Sequence, residues 1–165
     1  MAVLMIMRHA KSDWSASVAT DHDRPLAPRG IEAAGVMGRF LARCGHAPDL
    51  VLTSTAVRAR STVELAATAG GWGCDILSTA TFYGCDREIA LGELTAASEL
   101  PERVLIVGHE PAWSDLLALL GGGRVKMPTA AVACLVFDGR SWREVAPGRG
   151  VLHWLVTPKL VKGLV

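Results

Sequence analysis

The sequence predicts a three-layer α/β/α sandwich built on a mostly parallel central sheet. The main observation is a set of short, almost wholly apolar segments that each stop at polar residues: 3–7, 50–53 and 104–107. A run that is apolar throughout, rather than alternating, is typical of a strand buried on both faces of a parallel sheet. Stretches with helical spacing of apolar residues lie between these segments. Strands and helices therefore alternate along the chain, as they do in α/β proteins.

The first half of the chain begins with the strand at 3–7, followed by a long polar loop over 10–27. A helix is expected to begin near Pro28, a residue tolerated in a first helical turn, and to be followed by Gly45 at its end. Its expected apolar stripe consists of Ile31, Ala34, Met37, Gly38, Leu41 and Ala42.

The next strand, 50–53, leads into a helix that Ser54 or Thr55 could cap and that runs to about Ala69. The glycine-rich segment 70–73 then interrupts the chain. The remaining expected elements are a short strand near 75–77, a helix over 87–98, a strand over 103–107, a helix from Pro111 to Leu120, and strands over 131–137 and 151–157. No repeat or linker divides the sequence, so one domain is expected over residues 1–165.

The composition excludes several classes of protein. Hydrophobic residues make up 50% of the chain and charged residues 20%, which favours a folded globule over a disordered chain. The net charge of +1 gives no electrostatic argument for nucleic acid or a membrane surface as partner. No apolar run approaches the roughly 20 residues of a membrane helix. The scattered cysteines contain no C-x-x-C pair and, with no signal peptide expected, they favour reduced thiols and a cytoplasmic location.

Arginines and histidines follow the predicted parallel strands. Arg8 and His9 come directly after the first strand, Arg58 follows the second, and His109 follows the strand at 103–107. The carboxyl ends of parallel strands meet at one edge of a sheet, so these side chains are expected to converge. Arginine binds phosphate oxygens with a planar fork, and a neutral histidine can attack phosphorus. The sequence therefore predicts a phosphate site at this edge.

These residues belong to motifs that resemble a known family. The segment Met7-Arg8-His9-Ala10 is similar to the Arg-His-Gly signature of the histidine phosphatase superfamily, also called phosphoglycerate-mutase-like. More closely, four segments resemble the motifs of its short phosphohistidine phosphatase branch, the SixA-like proteins, in order and spacing. They are 7–14, Asp21-x-x-Arg24-Pro25-Leu26, Ser54-x-x-x-Arg58-Ala59-x-x-Thr62 and Gly108-His109-Glu110-Pro111. Ala10 stands where glycine is commoner, and Ala27 where the branch often has threonine.

The resemblance implies a phosphoglycerate-mutase-like fold and a hydrolase that works through a covalent phosphohistidine on His9. Arg8, Arg24, Arg58 and His109 would bind the phosphoryl group. No cofactor and no metal are expected, since the arginines supply the positive charge. The substrate is expected to be phosphorylated, most simply a phosphohistidine protein. A small phosphate ester is the alternative substrate, and a non-catalytic phosphate-binding module is the alternative of another class.

The general acid that protonates the leaving group is less clearly marked. Asp21, three residues before Arg24, is the first candidate, with Asp86 and Glu110 in reserve. An imidazole with a pKa near ~6.5 leaves readily from phosphorus, so a weak acid favours phosphohistidine over an alcohol ester. His22 and Trp14 are further candidates for substrate contact. A metal site built from His9, His109 and Asp21 is disfavoured because the neighbouring arginines would repel a cation.

Overall fold

The structure is a computed structural model that describes residues 1–97, 99–121, 123–139 and 141–165. Its strands are β1 (Ala2–Arg8), β2 (Leu50–Ser54), β3 (Asp75–Thr79), β4 (Arg103–Gly108), β5 (Val132–Phe137) and β6 (Val151–Val156). Its α-helices are α1 (Pro28–Arg43), α2 (Val57–Gly70), α3 (Arg87–Ala96), α4 (Ala112–Gly121) and α5 (Pro158–Val161).

The strands form one sheet in the order β3-β2-β4-β1-β5-β6. Strands β3, β2, β4 and β1 are parallel, whereas β5 pairs antiparallel with β1 and β6 pairs antiparallel with β5. The predicted mostly parallel sheet is therefore confirmed. Its parallel part places the carboxyl ends of β1, β2 and β4 side by side, and this arrangement positions the site.

Helices cover both faces of the sheet, which confirms the predicted sandwich. Strand β1 is buried on both sides, because Leu4 and Ile6 pack in one core cluster with residues of α3 and α4. Met5 and Met7 pack in the other cluster with residues of α1 and α2. The continuous apolar run at 3–7 thus has the physical cause that the sequence suggested: no side of this strand faces water.

Three details of the predicted elements were wrong. Ile31 is 48% exposed, because the buried stripe of α1 runs instead through Gly30, Ala34, Met37, Gly38 and Leu41. Neither Ser54 nor Thr55 is the N-cap of α2, since Ser54 belongs to β2 and the capping residue is Ala56. Helix α4 begins at Ala112, one residue after Pro111.

The ends of helices α1 and α3 were also predicted. Gly45 follows α1 with a φ of 70°, as expected for a residue that ends a helix in the left-handed region. Helix α3 ends at Ala96, and the last residue of its predicted range, Ser98, lies outside the described residues. Across the described ranges, no helix is both long and apolar enough to span a membrane.

Helices α1 and α2 pack so closely that Gly38 has no room for a side chain. A β-carbon on Gly38 would overlap the carbonyl oxygen of Ala66. We expect Gly38→Ala to lower the free energy of unfolding by about 3 kcal/mol, because the added methyl group must push two helices apart. Urea denaturation followed by circular dichroism measures this change.

The matched control is Gly35→Ala on the same helix. A β-carbon there would meet only the Nη1 atom of Arg39 at 3.4 Å and the Cβ of Ala69 at 3.7 Å. Alanine favours the helix over glycine by roughly 0.5–1 kcal/mol, so Gly35→Ala should leave stability unchanged or raise it. Equal stability of the two variants would contradict the close-packing argument.

Candidate active site

The ends of β1, β2 and β4 bring the predicted phosphate ligands together. Arg8 is the last residue of β1 and lies opposite Gly108 of β4, and the backbone N–H of His9 donates to the carbonyl of Gly108 at 3.0 Å. The rings of His9 and His109 have their centroids 5.1 Å apart. Arg58 enters from the first turn of α2. The four residues thus meet at one edge because the three strands run parallel.

His9 is held in one tautomer. Its Nδ1 lies 2.7 Å from the carbonyl oxygen of Ala10. A carbonyl can only accept a hydrogen bond, so Nδ1 carries the proton and Nε2 keeps its lone pair. Among the described residues Nε2 has no hydrogen-bond partner, although His9 is only 8% exposed.

The peptide that follows His9 is anchored to α2. The backbone N–H of Ala10 donates to Oγ1 of Thr62 at 2.9 Å, and the Thr62 hydroxyl donates to the carbonyl of Arg58 at 2.6 Å. A single side chain therefore links the His9 peptide to the turn that carries Arg58. This link fixes the imidazole and the guanidinium relative to each other.

Burial keeps both histidines neutral. It lowers the pKa of His9 from 6.5 to about 3, more than offsetting the hydrogen bond to Ala10, and the nearby His109, Arg58 and Arg8 lower it further. Burial also lowers the pKa of His109 to about 4, with the positive charge of Arg58 as the next cause. At neutral pH the free Nε2 of His9 is therefore an unprotonated nitrogen in a positively charged pocket.

We expect neither histidine to take up a proton as the pH falls from 8 to 5. Because burial penalises the imidazolium ion, protonation of His9 should reach its midpoint only near pH 3, far below the ordinary value of 6.5. Side-chain ¹⁵N NMR, with assignments from His9→Gln and His109→Gln, measures both the titration and the tautomer. A His9 ring that titrates near pH 6.5, or that carries its proton on Nε2, would contradict this description.

Buried nitrogen atoms without partners mark the pocket as a site for an anion. Among the described residues they are the Nε atoms of Arg8 and Arg58, Nδ1 of His109, and Nε1 of the core residue Trp113. Buried polar groups are rarely left unpaired, so each such atom needs an explanation. The first three atoms come from β1, from α2 and from the segment that follows β4. A bound phosphoryl group would supply the missing acceptors for the two Nε atoms, and for Nδ1 of His109 when that atom carries the ring proton.

The remaining nitrogens of these side chains are held in place. Nη1 of Arg8 donates to the carbonyl of Met127 at 2.9 Å. The Nε2 atom of His109 lies 2.8 Å from Oγ of Ser54, and this oxygen accepts the backbone N–H of Ala56 at 3.2 Å. When the Ser54 hydroxyl donates to Nε2, the proton of the neutral His109 ring is on Nδ1. Since the unpartnered atoms belong to side chains that are already oriented, the pocket is preorganised for its ligand.

Arg24 is buried by the long loop that carries it. Its Nη1 donates to Oγ of Ser12, and its guanidinium lies 3.6 Å from the ring centroid of Trp14. Arg24 is 7% exposed while Trp14 is 73% exposed, so the tryptophan covers the arginine from the solvent side. The ends of this loop are joined by a bridge between Ser12 and Leu26.

Asp21 connects the loop to the pocket. Its Oδ1 accepts from Nε and Nη2 of Arg24 at 3.1 and 2.7 Å, and its Oδ2 accepts from Nη2 of Arg58 at 3.0 Å. The hydrogen bond from Arg24 is the main cause that lowers the pKa of the Asp21 carboxyl. Asp21 is therefore ionised at neutral pH and pairs with two of the arginines.

The two reserve candidates for the general acid are engaged elsewhere. Asp86 is the N-cap of α3 and accepts the backbone N–H of Ile89 at 2.8 Å. Glu110 accepts the backbone N–H of Ser114 at 3.1 Å and its hydroxyl at 2.6 Å, at the beginning of α4. Of the three predicted acids, the structure places Asp21 against the arginines of the site.

The sequence analysis missed Tyr83 as a wall of the site. Its hydroxyl lies 3.4 Å from Oδ2 of Asp21, and its ring meets those of His109 and His22 edge-on, at centroid distances of 5.7 and 4.9 Å. His22 is held by Oγ1 of Thr55 at 3.0 Å. Tyr83 follows β3, a further parallel strand of the sheet. That position was the signal that could have found it.

No metal centre accompanies this pocket in the described part of the chain, where no group of three or more His, Cys, Asp and Glu side chains could hold an ion. His9, His109 and Asp21, which the sequence left open as ligands, instead contact arginines, hydroxyls or backbone groups. What the pocket offers is positive charge from guanidinium groups beside a neutral imidazole.

The fold and the pocket together define an α/β protein with a positively charged pocket at the carboxyl edge of its sheet. Comparison with known proteins makes the class more specific. Residues 4–99, which include Arg8, His9 and Arg58, match the model of the histidine phosphatase superfamily (branch 1), and the chain belongs to this superfamily.

Individual relatives match over nearly the whole chain. An uncharacterised protein of Mycobacterium tuberculosis is 38% identical over 164 residues, covering 93% of this chain and 100% of its own. A structure from Nakamurella multipartitia, provisionally described as the phosphohistidine phosphatase SixA, is 30% identical and has a TM-score of 0.80, with 95% of this chain and 96% of that chain covered. Its counterpart from Agrobacterium tumefaciens is 28% identical, with a TM-score of 0.82 and coverages of 95% and 98%.

These matches confirm the resemblance to the SixA-like branch and the phosphoglycerate-mutase-like fold. The protein is accordingly a metal-independent phosphatase, and its substrate carries a phosphoryl group.

Proposed function

We propose that the protein removes the phosphoryl group from phosphohistidine on a substrate protein, through a covalent intermediate on Nε2 of His9. The observation that carries the proposal is the neutral, fixed imidazole of His9 with its unpartnered nitrogen beside Arg8 and Arg58. Nε2 attacks phosphorus, the P–N bond of the substrate breaks, and the leaving imidazole takes up a proton. Water then cleaves the phosphohistidine on His9 and releases inorganic phosphate.

The positively charged residues have a common role in this scheme. Arg8 and Arg58 neutralise the phosphoryl oxygens during in-line transfer, and Nδ1 of His109 donates a hydrogen bond to one of them. Arg24, buried between Ser12 and Trp14, adds a charge from the loop. Since the charges are built into the folded pocket, they require little reorganisation during the reaction.

The ionised state of Asp21 supports phosphohistidine as the substrate. An alcohol leaving group needs a strong proton donor, whereas an imidazole with a pKa of about 6.5 leaves readily. Because Asp21 is ionised in the empty pocket, its pKa must first rise on substrate binding, so the site is best suited to a leaving group that needs little help from an acid. The SixA name of the structures from Nakamurella multipartitia and Agrobacterium tumefaciens points to the same substrate class. A reducing cytoplasmic location fits the free cysteines Cys44, Cys74, Cys85 and Cys134.

We assign the general acid to Asp21, with its proton acquired only when substrate is bound. A phosphoryl dianion that pairs with Arg24 and Arg58 competes with the Asp21 carboxylate for the same donors. Loss of these hydrogen bonds removes the cause of its lowered pKa, and the negative charge of the adjacent phosphoryl group raises the pKa further, so the carboxyl can then take up a proton. Binding of the substrate thus prepares the acid.

Asp21→Asn is expected to discriminate between leaving groups. The variant should lower kcat/KM about 100-fold for phenyl phosphate, whose leaving group needs the proton, but less than tenfold for phosphoramidate. Rates measured across a series of aryl phosphates give the dependence on leaving-group pKa, which should be steeper in the variant. Asp23→Asn, two residues along the same loop, is the control. An equal loss for every leaving group would assign Asp21 to binding rather than to proton transfer.

The same pocket could act on a small phosphate ester or could bind phosphate without turnover. Phosphate release from a phosphohistidine protein and from a panel of small esters distinguishes these functions, when the wild type and His9→Ala are compared with and without EDTA. We expect preference for phosphohistidine, dependence on His9 and no effect of EDTA. Faster turnover of an ester would replace the substrate but keep the mechanism, and no turnover at all would leave a binding module.

A further inference from the structure

A second feature beside the phosphoryl pocket is an open groove of about 540 Å³ that includes Arg8 in its lining. Its basic and hydroxyl side chains come from widely separated segments, and they are Arg8, Lys11, Arg29, Thr129, Thr157 and Lys159. The apolar residues Ala33, Pro128 and Pro158 complete the lining. Because Arg8 belongs to both, the groove continues the phosphoryl pocket across the surface.

Close backbone packing brings the groove residues together. A β-carbon on Gly30 would overlap the carbonyl oxygen of Lys11, and the backbone N–H of Ala27 donates to that oxygen at 2.9 Å. The first turn of α1, which carries Arg29, therefore lies directly against Lys11. A salt bridge of 2.7 Å between Lys162 and Glu32 ties the end of the chain to α1 and places Lys159 on the same groove.

The charge of the groove is not neutralised by the protein. Within the described residues, no carboxylate oxygen lies within 4.0 Å of the charged nitrogens of Arg8, Lys11, Arg29 or Lys159. The nearby Glu32 is paired with Lys162 instead. In a chain with a net charge of only +1, this concentration of positive charge creates a local potential that attracts an anion.

We propose that the groove binds a second anionic group of the substrate, a carboxylate of an Asp or Glu side chain that lies close to the phosphohistidine of the substrate protein. The inference rests on the function proposed above, and it adds a recognition element to that function. The phosphoryl group binds at His9 while the carboxylate binds between Lys11, Arg29 and Lys159. Specificity then comes from two anions at a defined separation rather than from the phosphoryl group alone.

Binding of small bis-anions tests the groove without relying on turnover. Isothermal titration calorimetry compares phosphonocarboxylates of increasing chain length with alkylphosphonates of the same length. We expect one chain length to bind about tenfold more tightly than its alkyl counterpart, and this advantage should shrink at high salt because exposed ion pairs are screened. Arg29→Glu/Lys159→Glu should abolish the advantage.

A matched control has the same change in net charge at another surface. Arg124→Glu/Lys126→Glu alters two exposed basic residues that line a different cavity, next to Asp115. This variant should keep the full preference for the phosphonocarboxylate. Equal loss in both double variants would show that only overall charge matters and would overturn the assignment of the groove.

Phosphohistidine peptides identify the source of the second anion. Peptides with Glu residues near the phosphohistidine are compared with peptides that carry Gln at the same positions. The wild type should hydrolyse the Glu peptide with about tenfold higher kcat/KM, and Arg29→Glu/Lys159→Glu should remove the difference while its turnover of phosphoramidate stays unchanged.

The two experiments separate the failure of the groove from the failure of the proposed function. No preference in either experiment, with peptide turnover intact, would overturn the groove alone. A preference for phosphonocarboxylates combined with no hydrolysis of either peptide would overturn both phosphohistidine as the substrate and a protein as the source of the carboxylate.

Discussion

Replacement of His9 by alanine is expected to lower kcat by at least about 10⁴-fold, because no other group in the pocket can take its place as the nucleophile. The backbone hydrogen bond from His9 to Gly108 survives the substitution. The variant should therefore fold and bind phosphate while turning over no substrate. Steady-state phosphate release and denaturation curves measure the two properties separately.

The covalent intermediate gives a more direct readout. Rapid acid-free quenching of the wild type, followed by intact-protein mass spectrometry, should reveal one added phosphoryl group that is absent from His9→Ala. His153→Ala is the control, since His153 is exposed on the edge strand β6 and should form the intermediate normally. A labelled His9→Ala variant, or a fully active one, would overturn the proposed nucleophile.

Removal of Arg58 should produce the next largest loss. We expect Arg58→Ala to lower kcat/KM about 100- to 1,000-fold, because its guanidinium neutralises charge that develops on the phosphoryl oxygens in a buried site. Arg58→Lys keeps the charge but loses the planar fork, so it should recover only part of the activity. Arg60→Ala, an exposed arginine two residues further along α2, is the matched control and should remain fully active.

Arg58 also contacts Asp21, and the effect of losing this contact must be separated from a direct effect on the substrate. Its Nη1 and Nη2 atoms bind the carbonyl and the carboxylate of Asp21 at 2.7 and 3.0 Å, so Arg58→Ala also frees the loop. A double-mutant cycle with Asp21→Ala distinguishes the two roles when it is measured with phosphoramidate, a substrate for which loss of the acid should cost less than tenfold. Direct action on the substrate predicts a larger loss for Arg58→Ala than for Asp21→Ala. Equal single losses that do not add in the double variant would mean that Arg58 acts by holding the loop.

The amino-acid sequence alone was enough to predict the sheet and the convergence of its polar residues. An apolar run that stops at Arg8 and His9 predicts a buried strand, and parallel strands share a carboxyl edge. The placement of Arg58 and His109 follows from the same rule. These features depend on the local pattern of apolar and polar residues and on the alternation of strands and helices, and both can be read from the sequence.

Contacts between distant residues could not be predicted in this way. The tautomer of His9 depends on which oxygen faces Nδ1, and the pairing of Asp21 with Arg58 joins residues separated by 37 positions. Asp86 and Glu110 resembled Asp21 as candidates until the structure showed them at the beginnings of two helices. Side chains with the same carboxylate group thus have different roles because their surroundings differ.

The tertiary structure also decided which surfaces lie beside the pocket. Tyr83 reaches the site because β3 is parallel to its neighbour, and Lys11 meets Arg29 because Gly30 allows two backbone segments to touch. Local sequence patterns specify which residues are buried and which strands end in charge. Side-chain partners, the lowered pKa values and the shape of the basic groove arise only when packing brings remote segments into contact, because each depends on atoms that the chain order does not place together.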